Sequence, residues 1–478
     1  MANRLYGGTL KLHARLLPAL AAAALCVASS VQAQESAINA PEPSQPVRPL
    51  VLPGRLPDKP SQPPAFKISV GPLGFSAPGA YYLGQRTSLV SLDFLDEDRL
   101  LFTFRVPGLM HREAGEEDER QIRAVVLKLP VGVVETEALW TVHDRGRYLW
   151  MLADSHFLLR DQRDLETGDA SLELKPYLRF PGPLLWLETD PTQQYFVADS
   201  REPSPPAPKP AHATSPATDP GSPDLSFHSG GQPSSSEDRA SLGLGTPSAA
   251  EAAQTEEQPP ASQPDLVVRI LRRSSGEVIL VSRTRTAIHL PINADGYLEG
   301  LRSRNNDWLL NLRSFSGGNT ILGRVDSACS PLFDFLSPRE VLVTGCTASG
   351  AGDLTAIRTD GRHLWEALSA ETTVWPLIVR SPDGSRLARE TLVVSSPIGA
   401  RTPLDSADIK GQLVVVLNAA DGNIALETTA SPALDAGGNV AISPSGRRVA
   451  VLNGGQIQVF ELPAPPKLPE PAAPPATR

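Results

Sequence analysis

The sequence predicts an all-β fold, a β-propeller of about seven four-stranded blades. From residue 66 onward, runs of four to seven apolar or β-branched residues alternate with turn signals, and no window of ten residues shows a sustained helical stripe. Similar units recur along the chain: from turn to turn, Asp98 to Gly146 is 48 residues and Arg339 to Gly384 is 45. Repeats of about 40–50 residues with four strands each are typical of propeller blades. Seven is the best count, and six or eight blades also fit the spacing.

The clearest unit runs from Phe333 to Trp365. It predicts strands at Phe333–Leu336, Val341–Cys346 and Leu354–Arg358, with Leu364 and Trp365 opening a fourth. Asp-Gly pairs at 360–361, 383–384 and 421–422 supply the positive φ that tight hairpin turns require. The fourth unit along the chain, residues 297–325, is short enough to lack one strand.

A propeller must close its ring, because an open ring leaves strand edges exposed. The last unit, residues 439–462, contains only three candidate strands, and the isolated strand Phe66–Val70 precedes the first unit. We therefore predict that Phe66–Val70 is the outermost strand of the last blade, beside Ile457–Leu462.

Proline divides the chain into a folded part and three attachments. Of the 47 prolines in 478 residues, 29 lie in 41–64, 203–264 and 463–475. Segments of this composition cannot bury enough apolar surface to offset the entropy of ordering. We expect a disordered, polyproline-like lead-in at 34–65, a disordered insertion at 201–264 and a disordered tail at 463–478, around a propeller spanning 66–462.

The amino-terminal segment predicts export. Three basic residues precede the apolar run Leu16–Ser29: Arg4, Lys11 and Arg15. Small residues follow, so we expect cleavage between Ala33 and Gln34 and a mature protein in the periplasm or outside the cell, without a membrane span. The apolar run is shorter than a membrane anchor needs, and the residues before Cys26 match a lipoprotein signal poorly.

Net charge and cysteine content further narrow the class of protein and the partners it could have. A net charge of −9 without clustered Lys or Arg argues against a nucleic-acid partner. Cys329 and Cys346 are the two cysteines left after removal of the signal, and an even number in an exported protein favours a disulfide. Two buried free thiols are the alternative. A metal site at these cysteines is disfavoured because neither a Cys-x-x-Cys motif nor a His pair accompanies them.

Short motifs resemble known propeller families. Asp-Gly-x-x-Leu-Trp at 360–365, echoed by Leu139-Trp140 and by Asp421-Gly422, resembles the blade-closing motif of quinoprotein-type propellers, which include PQQ-dependent dehydrogenases and a non-catalytic lipoprotein of outer-membrane assembly. The resemblance implies that Trp140 and Trp365 pack between neighbouring blades. The Ser-Pro-Asp-Gly turn at 381–384 and the Ser-Pro-Ser-Gly turn at 443–446 resemble WD40-like and lactonase-like propellers. Residues 66–462 as a whole resemble secreted bacterial propellers, which implies a fold and no activity.

No motif identifies an enzyme. The sequence contains no adjacent cysteines of the kind found in PQQ enzymes, no Gly-x-Ser-x-Gly elbow, no His-Glu-x-x-His and no phosphate-binding loop. His143, beside Asp144 and Arg145, is a candidate channel residue, although a hydrogen-bonded turn histidine is the simpler interpretation. The acidic loop Glu113–Glu119 is interpreted as solvated in preference to cation-binding. We predict no catalytic residue, no metal ligand and no cofactor.

The leading hypothesis is an exported, non-catalytic propeller that binds a protein or glycan at the bacterial envelope as a monomer. The alternatives are a propeller enzyme, either a lactonase-like hydrolase or an oxidoreductase, with its site in the central channel, and a purely structural envelope component. The side chains that line the central channel distinguish the binding scaffold from the enzyme. Several Asp, Glu, His or Asn side chains within coordination distance there would rule out the binding-only hypothesis, and an apolar or unremarkable channel would count against the enzyme.

Overall fold

The computed structural model describes residues 49–466 except 78–80, 83–87, 89, 107–118, 145, 203–264, 286–288, 304–306, 348–351 and 399–403. The predicted signal segment with its Ala33–Gln34 cleavage site, most of the 201–264 insertion, most of the acidic loop and residues 467–478 of the tail therefore lie outside the described residues. Within the described part no helix has the length and apolar character needed to cross a bilayer.

Three short strands and one 3₁₀ turn precede the blades. The strands are β1 (Leu50–Val51), β2 (Phe66–Ser69) and β3 (Tyr81–Tyr82), and the turn is Gly71–Leu73. A second 3₁₀ turn, Ser406–Asp408, is capped by the Asp405 side chain.

Seven antiparallel sheets follow, which confirms the predicted seven-bladed propeller. Blade 1 contains strands β4–β7: Val90–Phe94, Arg99–Arg105, Arg120–Lys128 and Val133–Val142. Blade 2 contains strands β8–β11: Leu149–Met151, Phe157–Asp161, Asp164–Gly168 and Lys175–Arg179. Blade 3 contains strands β12–β15: Leu184–Thr189, Tyr195–Glu202, Asp265–Arg272 and Val278–Thr284.

The remaining blades follow the same order. Blade 4 contains strands β16–β18: Gly296–Arg302, Asp307–Ser314 and Asn319–Asp326. Blade 5 contains strands β19–β22: Leu332–Ser337, Glu340–Cys346, Gly352–Arg358 and His363–Leu368. Blade 6 contains strands β23–β26: Thr373–Arg380, Arg386–Val394, Ile409–Asn418 and Ile424–Ala430. A short strand, β27 (Ala433–Leu434), pairs in parallel with β3, and blade 7 begins with β28–β30: Val440–Ile442, Arg448–Asn453 and Gln456–Glu461.

Blade 4 has a reduced first strand, which explains its short repeat. The stretch before β16 pairs with it through an Ile292–Tyr297 bridge, with the Leu298 amide donating to the Pro291 carbonyl and the Asn293 amide to the Gly296 carbonyl. Pro291 has no amide hydrogen to donate, which limits the ladder at this point. The segment 289–293 therefore occupies the first-strand position of blade 4.

The ring is closed by the strand that the sequence predicted. Strand β2 pairs antiparallel with β30, from Phe66 opposite Val459 to Ser69 opposite Gln456. It supplies the outermost strand of blade 7, so the first and last parts of the propeller belong to one sheet. The Ala65 amide extends this contact by donating to the Val459 carbonyl at 2.8 Å.

The described part of the proline-rich lead-in, residues 49–65, differs from the expectation that this stretch stays unpacked. Strand β1 adds in parallel to the outer edge of blade 5, and Leu52 is only 1% exposed between blades 5 and 6. Farther along, the Ser61 amide donates to the Glu427 carbonyl of blade 6 at 2.9 Å. Residues 49–65 thus dock as an extended segment on blades 5, 6 and 7. Single leucines between the prolines are enough for this, because the propeller provides the groove that they fill.

The hydrophobic core lies between blades. Each of the seven interfaces holds one cluster of buried apolar side chains. The interface of blades 7 and 1 contains 17 buried residues, whereas that of blades 3 and 4 contains four among the described residues: Val197, Val268, Ile270 and Ile292. Six partly buried apolar side chains also pack at the interface of blades 3 and 4, so the apolar contact there is less deeply buried, where the first strand of blade 4 is reduced.

The two tryptophans singled out in the sequence lie at blade interfaces. Trp140 packs against Phe157 of blade 2 with ring centroids 5.5 Å apart. Trp365 donates its indole N–H to the Ala419 carbonyl of blade 6 at 2.6 Å and covers Gly422, where a Cβ would lie 2.7 Å from the ring. Gly422 has a φ of +70°, so this turn requires glycine for both conformation and space.

Cys329 and Cys346 form a disulfide, as the sequence predicted, with their Cα atoms 5.7 Å apart. The bond joins the connection after β18 to the end of β20. It therefore ties blade 4 to blade 5 at the edge of β20.

We predict that Cys329→Ser lowers the melting temperature in oxidising buffer. Opening a 17-residue loop removes about 3 kcal/mol of stabilisation in the chain-entropy account. Thermal denaturation with and without a reducing agent tests this, because reduction should bring the wild type down to the variant. Equal melting temperatures in oxidising buffer would contradict it.

Limited proteolysis should cut first within the 201–264 insertion, whose first two residues, Arg201 and Glu202, belong to β13, and leave two fragments that stay associated. The insertion connects β13 to β14, which pair along eight residues from Tyr195–Arg272 to Glu202–Asp265, so each fragment contributes a central strand to blade 3. Two bands on a denaturing gel with unchanged gel-filtration elution are expected. Resistance of this segment, or separation of the fragments, would refute the prediction.

Candidate functional site

The first strand of each blade faces the centre of the ring. First strands of neighbouring blades contact one another, as β28 does β4 and β4 does β8. Side chains that are distant in sequence can therefore meet in this central channel.

Ionisable side chains from the first strands of six consecutive blades collect here, and their ordinary charges alternate in sign around the ring. We call this set the charge belt: Asp93, Arg147, Glu188, His289, Asp334 and Arg380. Arg147 lies two residues before β8, and His289 lies at the start of the reduced strand of blade 4. The first strand of blade 7, Val440–Ile442, contributes no ionisable group.

Three belt residues from three successive blades lie within coordination distance. One atom each of Glu188, His289 and Asp334 lie within 4.8 Å of one another. His289 Nδ1 is 3.2 Å from Glu188 Oε2, and Nε2 is 3.4 Å from Asp334 Oδ1. Nε2 also lies 2.8 Å from the Phe333 carbonyl oxygen. We refer to these three residues as the trio.

His289 is an imidazolium in this arrangement. Burial lowers its pKa, but the Asp334 hydrogen bond, the nearby carboxylate charges and the Phe333 carbonyl outweigh burial and raise the pKa to about 9. The trio is therefore a cation held between two carboxylates, and it links blades 3, 4 and 5 beside the interface with the fewest fully buried apolar residues among those described.

The pKa values of two carboxylates in the belt are also shifted. Burial raises the pKa of Glu188 to about 6; His289 and Arg380 counteract this rise, and Asp334 reinforces it. Burial also raises the pKa of Asp93 to about 6, against a 2.6 Å hydrogen bond from Ser91 and the charge of Arg147. Two carboxyl groups poised near neutrality in one channel are typical of functional sites.

The two arginines are held by backbone carbonyls. Arg147 donates from Nε to the Leu149 carbonyl at 2.9 Å, and its guanidinium lies 5.3 Å from the centroid of the Trp150 ring. Arg380 donates to the Thr189 carbonyl at 2.9 Å and to the Phe335 carbonyl, so it bridges blades 3, 5 and 6. Loss of hydration is the main cause that lowers the pKa of Arg147, and the charge of Arg380 lowers it further.

An exposed tryptophan lies beside the trio. Trp186, in the same strand as Glu188, is 44% exposed and meets the His289 ring edge-on with centroids 5.5 Å apart. An aromatic surface with this much exposure next to charged groups suits contact with a ligand.

The residues that the sequence singled out lie elsewhere. His143 bonds Asp161 through Nδ1 at 3.0 Å and through its amide at 2.8 Å, so it is a turn histidine between blades 1 and 2. Cys329, Cys346, Trp140 and Trp365 belong to interfaces, outside the belt. The sequence pointed to no catalytic or metal-ligating residue, and it missed all six belt residues. The available signal was an ionisable residue inside an otherwise apolar first strand, as in Leu92-Asp93-Phe94 and Phe333-Asp334-Phe335.

Comparison with solved structures returns several proteins at low sequence identity. The acylaminoacyl peptidase of Pyrococcus horikoshii aligns at 10% identity over 76% of this chain and 48% of its own, with a TM-score of 0.40. The propeller domain of the Trilobed protease from Pyrococcus furiosus aligns at 10% identity over 79% of this chain and 94% of its own, with a TM-score of 0.39. TolB from Acinetobacter baumannii aligns at 13% identity over 74% of each chain, with a TM-score of 0.33.

This chain spans about half the length of the archaeal peptidase that it matches. No protein-family model and no curated protein sequence matches it. Similarity at this level carries no information about activity, so the function has to be argued from the channel itself.

We predict that His289→Ala destabilises the protein in a pH-dependent manner. Because the folded-state pKa of about 9 exceeds the ordinary 6.5, the stabilisation is complete below pH 6.5 and is lost as the pH rises through 9. The difference in unfolding free energy from the wild type should be larger at pH 6.5 than at pH 10 by on the order of 2 to 3 kcal/mol.

Urea denaturation in EDTA at the two pH values measures this difference. His363→Ala is the control, since it removes a more exposed histidine–carboxylate pair, His363 Nε2 to Glu366 Oε1 at 3.1 Å. A destabilisation by His289→Ala that is the same at both pH values would show that the trio is not an ionic clasp.

Proposed function

We propose that this chain is an exported β-propeller that binds a protein partner by admitting a charged segment of that partner into its central channel. The observation that carries the proposal is the charge belt, in which six ionisable groups from six blades converge at one place. The export component rests on the basic and apolar pattern of residues 1–33.

The contacts of the belt indicate the chemistry of the ligand. Arg147 and Arg380 donate to backbone carbonyls, and their positive charges repel each other in the channel, although Asp93 and Glu188 offset part of the charge of Arg147. An anionic group placed between them would relieve this repulsion and accept their remaining N–H donors. Asp93 and Glu188, whose pKa values are raised to about 6, would in turn be stabilised as carboxylates by a cation.

A peptide segment with acidic and basic side chains provides both charges. A neutral glycan would leave them unused, so the belt favours the protein over the glycan among the partners that the sequence left open. The alternating signs also select for charge order in the ligand, since a misplaced charge meets its own sign.

A hydrolytic enzyme is the second candidate. The trio places three such side chains within coordination distance, which argues against a propeller that only binds. However, an imidazole that is protonated up to about pH 9 is a poor general base near neutrality. Hydrolysis of esters or lactones by the wild type, lost in Glu188→Gln, would favour the enzyme.

Affinity capture from envelope extract tests the binding proposal. The wild type should retain a partner that salt releases. The double variant Arg147→Gln/Arg380→Gln should retain at least tenfold less of that partner, because both guanidinium charges are gone. The matched control is Arg313→Gln/Arg324→Gln, which removes two arginines with 42% and 71% exposed side chains outside the belt. Circular dichroism checks that each variant is folded.

Photo-cross-linking then locates the contact. A cross-linker in place of Trp186, beside His289, should label the captured partner, whereas one in place of Val281 on the outer strand of blade 3 should not. Equal capture by both double variants, or labelling from Val281 alone, would place the interface outside the channel.

A further inference from the structure

We propose that the trio of Glu188, His289 and Asp334 is a binding site for a divalent cation of the zinc type. The inference rests on the proposed function only in locating the site in the channel. It assigns the channel a second ligand, a metal ion, which binds without the protein partner.

The ligand spacing is the first argument. Ligand atoms at about 2.0–2.2 Å from a tetrahedral zinc ion lie roughly 3.3 Å from one another. His289 Nδ1 lies 3.2 Å from Glu188 Oε2, the separation expected of two zinc ligands, and one ligand atom of each of the three residues falls within a 4.8 Å cluster. Asp334 Oδ1 lies 3.4 Å from the other ring nitrogen, Nε2, so a rotation of the Asp334 side chain would bring the third donor to the ion.

The hydrogen bonds indicate which nitrogen would bind the metal. His289 Nε2 lies 2.8 Å from the Phe333 carbonyl, so Nε2 carries the hydrogen of that bond and the ring is oriented by the backbone. Metal-bound histidines commonly donate their other ring N–H to a carbonyl or carboxylate in this way. Nδ1, which faces Glu188, is therefore the ligating nitrogen, and Asp334, which faces Nε2, would supply the third ligand from the next blade after its side chain rotates.

Glu188 provides an independent indication. Its side chain is 14% exposed, and its Oε2 atom is buried without an aligned hydrogen-bond donor, although Nδ1 is 3.2 Å away. A buried carboxylate oxygen that lacks a well-aligned donor is costly, and a metal ion would satisfy its lone pair.

The donor set selects the class of metal. One imidazole nitrogen and two carboxylates, with room for water as a fourth ligand, suit zinc and similar transition ions. Calcium prefers six to eight oxygen ligands and magnesium six, which this trio does not supply. Metal binding displaces one proton: the imidazolium releases its Nδ1 proton to the buffer, and the freed lone pair coordinates the incoming cation.

Calorimetric titration of EDTA-treated, dialysed full-length protein with zinc chloride tests the proposal. We expect one ion per chain, proton release detected by comparing PIPES with HEPES at the same pH, and tighter binding at pH 8 than at pH 6.5. Glu188→Gln and His289→Ala should each weaken binding at least tenfold. His143→Ala, which removes a histidine paired with Asp161 outside the belt, should bind as the wild type does.

Glu188→Gln keeps the shape of the side chain, so it separates loss of a ligand from loss of folding, and thermal melts verify both variants. Absence of zinc binding by the wild type, or binding unchanged in Glu188→Gln, would overturn the inference. Zinc titration needs no partner, and the arginine variants that test partner capture leave the trio intact. Failure of one proposal is therefore distinguishable from failure of the other.

Discussion

The pairing of β2 with β30 is the contact on which the rest of the molecule depends. A blade buries its two faces only against its neighbours, so blades 1 and 7 each leave one face exposed until the last blade meets the first. The closing strand secures this meeting directly, since Ile68 on β2 and the adjacent Val70 join the cluster of 17 buried residues between blades 7 and 1. Each such side chain stabilises the fold by about 1.5–3 kcal/mol when fully buried.

Closure distributes the apolar core unevenly. The interface of blades 3 and 4 has the smallest cluster among the described residues, and the first strand of blade 4 is reduced beside Pro291. The trio bridges the same region with charges, from Glu188 across His289 to Asp334. An ion pair is a weak substitute for apolar packing because both partners lose hydration, yet removing one partner leaves an uncompensated buried charge. The region is thus held in part by a contact that is sensitive to protonation.

Much of the architecture could be predicted from the sequence because it is encoded locally. Turn residues such as Asp383 and Gly384, spaced by alternating apolar strands, mark each blade wherever it lies in space. The docking of 49–65 could not be predicted this way, because Leu52 is apolar in a proline-rich context and its burial depends on a groove made by blades 5 and 6. The belt could not be predicted this way either, since Arg147 and Arg380 are separated by most of the propeller and interact only once the ring has closed.

A ring does not require charges at its axis, as blade 7 demonstrates with the apolar first strand Val440–Ile442. Burial that raises the pKa values of Asp93 and Glu188 to about 6 shows that holding carboxylates there is costly. The alternation of positive and negative charges offsets part of that cost. A complete alternation is possible here because blade 7 contributes no charged residue to the belt. With seven charged positions, an odd number, two like charges would have to be neighbours. Six alternating positions and one apolar one let every belt charge lie beside an opposite one, and like-charge repulsion remains between more distant members such as Arg147 and Arg380 or Glu188 and Asp334. Perturbed ionisable groups kept at a structural cost are a physical signature of function, and in this propeller they occur at the axis.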